Sequence, residues 1–113
     1  DLTIKQLTKK NCLLVKKLIS KFYRKKIFFK SPNDLLINNK KISGILQETI
    51  TINDNKYLIV GIGVNIIKSP NVKNYPTTNL FELVGKKIDY KLIANLLRSI
   101  FEKNILKYYK KKI

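Results

Sequence analysis

The order of periodicities along this 113-residue chain predicts an α+β fold, a largely antiparallel sheet flanked by helices. Three observations predict it. Apolar residues recur at helical spacing near both ends. The middle of the chain breaks into short extended runs. Tight Pro- or Asn-containing reversals separate those runs, as expected for strands that pair with their neighbours.

The first helix is expected over Thr3 to about Lys25. Thr3 and Gln6 have capping-box spacing, so each side chain can satisfy a free amide of the first turn. Leu7, Leu14, Leu18 and Phe22 form a stripe that Val15 and Ile19 widen. Lys16, Lys17 and Lys21 fall on a solvated face. A short strand follows over Ile27–Lys30, then a turn at Ser31-Pro32-Asn33, where proline pushes Ser31 towards extended geometry. Asp34–Ile37 reads as a second strand, and Asn38-Asn39-Lys40 as a tight reversal. Lys41–Ile52 is the third strand and Asn53-Asp54-Asn55 a hairpin turn. Tyr57–Ile67 is the fourth strand, and its near-continuous apolar character predicts burial on both faces. Lys68–Thr78 is a loop marked by Pro70 and Pro76. Asn79 and Glu82 then cap a short helix over Leu80–Val84 that Gly85 ends. Asp89 is the N-cap of a last helix with the stripe Ile93, Leu96, Leu97, Ile100, Phe101 and Leu106. The basic tail from Lys107 to Ile113 is expected to fray.

Composition narrows the chemistry. Apolar residues make up 44% of the chain, enough for a packed core rather than disorder. The net charge is +17, but arginine occurs only at Arg24 and Arg98, and lysines are scattered over every segment without a nucleic-acid motif. This pattern is general basic solvation more than a dedicated nucleic-acid surface, although the field attracts anions. Histidine is absent, which excludes a Ser-His-Asp triad or a histidine base within the segment. Cys12 is the single cysteine, so neither a disulfide within the chain nor a Cys/His metal cluster can form, and it reads as a small core residue. No apolar run reaches the ~18 residues of a membrane span. A cytoplasmic setting is the default expectation.

The candidate chemistry lies in Phe29–Glu48 and Leu58–Ile66. Lys30, at a strand end before a rigid turn, is a point charge suited to carboxylate or phosphate. A solvated strand-end lysine is the plain alternative. Asp34 and Asn33 can cap the turn or orient a catalytic partner. Gly61-Ile62-Gly63-Val64-Asn65 places two glycines inside an apolar strand, which implies a bulge or a close backbone approach. Without a third glycine or a following helix it is not a dinucleotide fingerprint.

These segments together resemble the biotin–protein ligases, which attach biotin to a lysine of the carrier subunit of acetyl-CoA carboxylase. The family's Lys-Trp-Pro-Asn-Asp-Leu motif is similar to Lys30-Ser31-Pro32-Asn33-Asp34-Leu35. Its second motif resembles Lys41-Ile42-Ser43-Gly44-Ile45-Leu46, and its third resembles Gly61-Ile62-Gly63-Val64-Asn65. Thr77-Thr78-Asn79-Leu80 is similar to its Ala-Thr-Ser-Leu stretch. Order and spacing agree over nearly the whole chain. Ser31 stands where the family has tryptophan. The family's Gly-Arg-Gly-Arg-type loop has no counterpart, and Asp1 begins a chain without methionine. The resemblance therefore implies the C-terminal part of a catalytic domain, with the upstream phosphate loop and the following small β-barrel domain absent and little activity for the piece alone.

The resemblance further implies a mixed sheet of the biotin/lipoate ligase type and a two-step reaction through biotinyl-5'-adenylate, with biotin and ATP as substrates and Mg²⁺ as cofactor. It implies Lys30 and Asp34 as catalytic residues. Lys30, Asn33, Lys41, Gly44, Gly61, Gly63 and Asn65 would form the biotin- and adenylate-binding set, with no protein metal site. The implied partner is an acidic biotin carboxyl carrier protein, with neither membrane nor nucleic acid as a partner of this segment. A homodimer stays open. A lipoate-type ligase and a non-enzymatic basic nucleic-acid-binding module are the competing readings.

Overall fold

The structure, a computed structural model, describes residues 3–109, with side chains through Asn104. The elements run α1 (Ile4–Ile19), β1 (Phe28–Lys30), β2 (Asp34–Ile37), β3 (Lys40–Ile52), β4 (Asn55–Val64), α2 (Leu80–Val84) and α3 (Tyr90–Tyr109). The four strands form one sheet in sequence order, each antiparallel to its neighbour. The expected class holds. Parallel pairing among the described residues is confined to an isolated bridge between Lys41 and Thr77.

Local chemistry explains most boundaries. The Thr3–Gln6 capping box forms in both directions, at 2.9 and 3.1 Å. Asn38 and Asn39 both take positive φ, as do Asn53 and Asp54. Two consecutive left-handed residues are the requirement of a tight hairpin whose twist matches its strands, and Asn and Asp tolerate that geometry. The Asn79 side chain accepts the Glu82 amide at 2.8 Å, and Gly85 closes α2 in the left-handed conformation. The Asp89 carboxylate accepts the Lys91 amide at 3.0 Å and caps α3.

Two expectations need correction. The first helix ends at Ile19, about six residues early, where the Ser20 hydroxyl competes with its amide for the Lys16 carbonyl. The next amides then reach back only three residues, Lys21 to Leu18 and Phe22 to Ile19, and the chain leaves the helical path. Phe22 and Tyr23 still pack against the core, which is why the apolar stripe outruns the helix. The fourth strand ends at Val64 and is not buried on both faces. Its residues alternate from Tyr57 to Val64, with Leu58, Val60, Ile62 and Val64 turned inward and Tyr57, Ile59, Gly61 and Gly63 exposed. The strand lies at the sheet edge, and among the described residues no helix packs extensively on it.

The core lies between α1 and one face of the sheet. Cys12, Val15, Leu18 and Ile19 of α1 are buried with Leu35, Ile37, Ile42 and Ile45 of the sheet, and Ile93 and Ile100 of α3 join them. Asn11 sits within this layer, and its side-chain amide donates to the Gln47 side-chain oxygen across the α1–β3 contact. Of the basic tail expected to fray, residues 107–109 continue α3, while residues 110–113 and the side chain of Leu106 lie outside what is described. No described helix is long and apolar enough to cross a membrane.

Candidate active site

Register turns four of the motif residues into one row. Lys30 pairs with Asp34, Asp34 with Gly44, and Gly44 with Gly63, so the row crosses all four strands on the face away from α1. At ~4.8 Å between strands it is roughly 14 Å long. Gly61 lies two residues along β4 on the same face, opposite Leu46. Charge occupies one end of the row and bare backbone the other.

Lys41 reaches this face because of a β-bulge. Leu35 pairs with Ser43 but Leu36 with Lys41, which leaves Ile42 as the extra residue. Strict alternation from Gly44 would turn Lys41 inward with Ser43 and Ile45. The extra residue restores it to the outer face, the usual effect of a bulge on a side chain's aim. Lys41 Nζ then stands 3.2 Å from Asp34 Oδ1. Only 13% of the Asp34 side chain is exposed, so this ion pair is less screened than a surface one. Gly44 makes the room: a Cβ there would stand 2.9 Å from both Cε and Nζ of Lys41 and 3.3 Å from Asp34 Oδ1.

The loop after β4 completes the cluster. The Lys41 amide donates to the Pro76 carbonyl and the Thr78 amide to the Lys41 carbonyl, each at 2.9 Å. These bonds draw Tyr75 over the row. Its hydroxyl donates to Asp34 Oδ2, and its ring centroid lies 5.3 Å from Lys30 Nζ and 5.5 Å from Lys41 Nζ. The hydrogen bond to Asp34 first, then burial and the Asp34 charge, raise the Tyr75 pKa above its ordinary value. Two ammonium groups and one carboxylate leave the cluster net positive, a receptive field for an anion.

Asn33 and Asn65 do structural work. The Asn33 side-chain amide donates to the Ile45 carbonyl at 2.7 Å, and the Ile45 amide returns a bond to the Asn33 carbonyl at 3.0 Å. That pair pins the turn to β3. The Asn65 side-chain amide donates to the carbonyls of Thr78 at 3.0 Å and Lys41 at 3.4 Å. The asparagine thereby clamps the loop that carries Tyr75.

Gly61 and Gly63 are placed differently from Gly44. The β3–β4 register runs unbroken from Ser43 to Ile52, so neither glycine marks a bulge. A Cβ would meet only Leu46 O at 3.6 Å from Gly61 and Gly44 O at 3.9 Å from Gly63, ordinary contact distances. Among the described contacts nothing asks for glycine at either position. The site is a shelf: a cavity of about 320 Å³ opens beside Ile37, Asn38 and Lys40, at the opposite end of β2 from Asp34.

The structure thus brings Lys30, Asp34, Lys41 and Gly44 together, extends the row to Gly61 and Gly63, and sets Asn33 and Asn65 behind it as struts. Asp34 engages Lys41 and Tyr75 and not the turn beside it. Sequence reasoning missed Tyr75 and Ser43, whose buried hydroxyl donates to the Gly63 carbonyl at 2.7 Å. The only hint of Tyr75 was an aromatic residue next to Pro76 in a polar loop.

Residues 3–65 match the biotin/lipoate A/B protein ligase family. The bifunctional ligase/repressor BirA of Bacillus subtilis is 37% identical over 86 residues, which cover 70% of this chain and 26% of that protein. The biotin protein ligase of Aquifex aeolicus, solved with biotin and ATP, superposes with a TM-score of 0.78 at 31% identity, covering 99% of this chain and 47% of that one. LipL1 of P. falciparum, solved with lipoate, covers all of this chain and 33% of its own with a TM-score of 0.65, and at 19% identity it shares the fold alone. The chain therefore spans about a quarter of the B. subtilis relative and about half of the A. aeolicus one.

Proposed function

The chain belongs to the biotin/lipoate A/B protein ligase family, and on that premise we propose that it forms one wall of the active site of an ATP-dependent biotin–protein ligase. The single observation that carries this reading is the row Lys30–Asp34–Gly44–Gly63, charged at one end and flat at the other. A ligand with an anionic group and a thin planar ring matches both ends. Biotin has that form: a carboxylate on a chain, and a fused ureido ring.

In the first step the biotin carboxylate attacks the α-phosphorus of ATP, giving biotinyl-5'-adenylate and pyrophosphate. In the second, a lysine amine of the acceptor attacks the carboxyl carbon of the mixed anhydride, forming the amide and releasing AMP. Both steps concentrate negative charge between carboxylate and phosphate, so positioned cations do the main work. Lys30 and Lys41 supply them. Asp34 holds Lys41 through its ion pair and presents the nearest negative charge to an incoming ammonium group. Gly61 and Gly63 let the ring lie against the backbone. Asn33 and Asn65 keep the turn and the loop in register. Mg²⁺ would offset the phosphate charge of ATP, and no group of three or more described carboxylate or thiol side chains is gathered to hold it.

The acceptor in this reading is a biotin carboxyl carrier domain, as in acetyl-CoA carboxylase, in the cytoplasm. The excess of lysine favours an acidic acceptor by steering its approach. The test is biotin-dependent ATP–pyrophosphate exchange by the full-length protein, with lipoate as competitor. Exchange that needs biotin and ignores lipoate is expected. Exchange driven by lipoate alone would move the chain to the other branch of its family.

A further inference from the structure

We propose that Tyr75 is a positioning residue that orders the ammonium groups of Lys30 and Lys41 for anion binding. The choice of anion rests on the ligase reading above; the ordering itself does not. Lysine carries its charge on a flexible four-carbon stem, and two lysines converging on one site repel each other. One ring attracts both: Lys30 Nζ lies 5.3 Å and Lys41 Nζ 5.5 Å from the Tyr75 centroid. Asp34 serves both sides of this arrangement. One carboxylate oxygen pairs with Lys41 and the other accepts the Tyr75 hydroxyl, so the carboxylate fixes the ring relative to the charge it holds.

The backbone anchors Tyr75 from behind. Its amide donates to the Val72 carbonyl at 3.2 Å, and the next residue, Pro76, accepts the Lys41 amide. Asn74 takes a left-handed φ of 65°, a conformation that asparagine tolerates, and turns the chain just before the tyrosine. The turn between Lys30 and Asp34 has no aromatic residue of its own, only exposed Ser31 and Pro32 followed by Asn33. Tyr75 brings an aromatic ring to that turn from a segment more than forty residues away in the chain.

Two readouts test this in the full-length protein. The first is the ring-current shift of the Lys30 and Lys41 ε-methylene protons in ¹³C-lysine spectra, assigned with Lys30→Arg and Lys41→Arg. The second is the KM for ATP in biotin-dependent pyrophosphate exchange. Tyr75→Phe keeps the ring, and both lysines should stay shifted upfield. Tyr75→Leu should abolish those shifts and raise the KM for ATP by about tenfold while kcat changes far less, the loss expected of two weak cation–ring contacts. If leucine compromises the fold, Tyr75→Gln gives the same comparison. Unchanged lysine shifts and an unchanged KM in a folded, ring-free variant would overturn the proposal. A wild-type protein with no exchange activity would sink the ligase reading instead, and the lysine shifts would still decide the role of Tyr75.

Discussion

The two faces of one sheet follow opposite rules. On the inner face, Leu35, Ile37 and Ile45 are buried with Val15, Leu18 and Ile19 of α1, and Val60, Ile62 and Val64 pack beside them partly buried. On the outer face the same strands present Lys30, Asp34, Gly44, Gly61 and Gly63, and Leu46 is 76% exposed. Residues one apart in sequence thus belong to different problems. Inner residues are chosen by volume. The outer row combines charge with glycine, beside exposed apolar residues such as Leu46, Tyr57 and Ile59. The proposed ligand site lies on the outer face, where the row of charged residues and glycines is found.

The largest expected effect breaks the inner face. Ile45→Ala removes a side chain that is 1% exposed and opens a cavity beneath α1, a change worth about 2–5 kcal/mol. Urea unfolding should show a much earlier midpoint, and a midpoint close to wild type would mean that the inner face is not the stabilising one. Lys30→Ala tests the outer face by the opposite signature. Lys30 is exposed, so stability should stay within about 0.5 kcal/mol. Biotinyl-adenylate formation by the full-length protein should fall by about 100-fold, the scale of losing one positioned charge. An unchanged adenylate yield would remove Lys30 from the proposed chemistry.

The sequence made local features legible and long-range ones not. The Thr3–Gln6 box, the two asparagine reversals and the Asn79 and Gly85 caps are decided by neighbours within a few residues, and all formed, although Lys40 and Asn55, read as turn residues, already belong to β3 and β4. The motifs also picked out Lys30, Asp34, Gly44 and Gly63 one at a time. Their alignment in a row depends on register, and the aim of Lys41 on a bulge, neither of which a linear pattern encodes. The fourth strand was misread because apolar residues on an uncovered face look the same as buried ones. Tyr75 acts on Asp34 from a loop stitched down by backbone hydrogen bonds, and no side-chain pattern announces such bonds.

A smaller effect sharpens the contrast within the outer face. Gly63→Ala places a Cβ at an ordinary 3.9 Å contact from Gly44 O, so the fold should tolerate it or gain about 0.5 kcal/mol from a less flexible unfolded chain. Biotin binding by the full-length protein should nonetheless weaken by about tenfold, because the added methyl occupies the surface on which the ring would lie. Thermal unfolding and calorimetric titration read the two quantities separately. Gly44→Ala should differ: its Cβ meets Lys41 Nζ at 2.9 Å, so the ion pair with Asp34 must move. Equal binding by the wild type and the Gly63 variant would return that glycine to the fold.

The smallest effect asks how independent the two faces are. Cys12 lies on the inner side, fully buried, and its pKa is raised from 9.0 to about 11, chiefly by burial and secondarily by the charge of Asp34 on the other face. The native thiol holds its proton where the unfolded chain has released it. Its contribution to stability is therefore complete below about pH 9 and is lost as pH rises through about 11. Tyr75, also shifted upward, adds to the decline in the same direction at high pH. A Cys12→Ala variant should show a shallower loss of stability across that window in urea titrations. Asp34→Asn should lower the Cys12 pKa in ¹³Cβ spectra by less than burial raises it, because a charge across the sheet is the secondary cause. No movement of the Cys12 titration in Asp34→Asn would mean that the sheet isolates its two faces electrically as well as sterically.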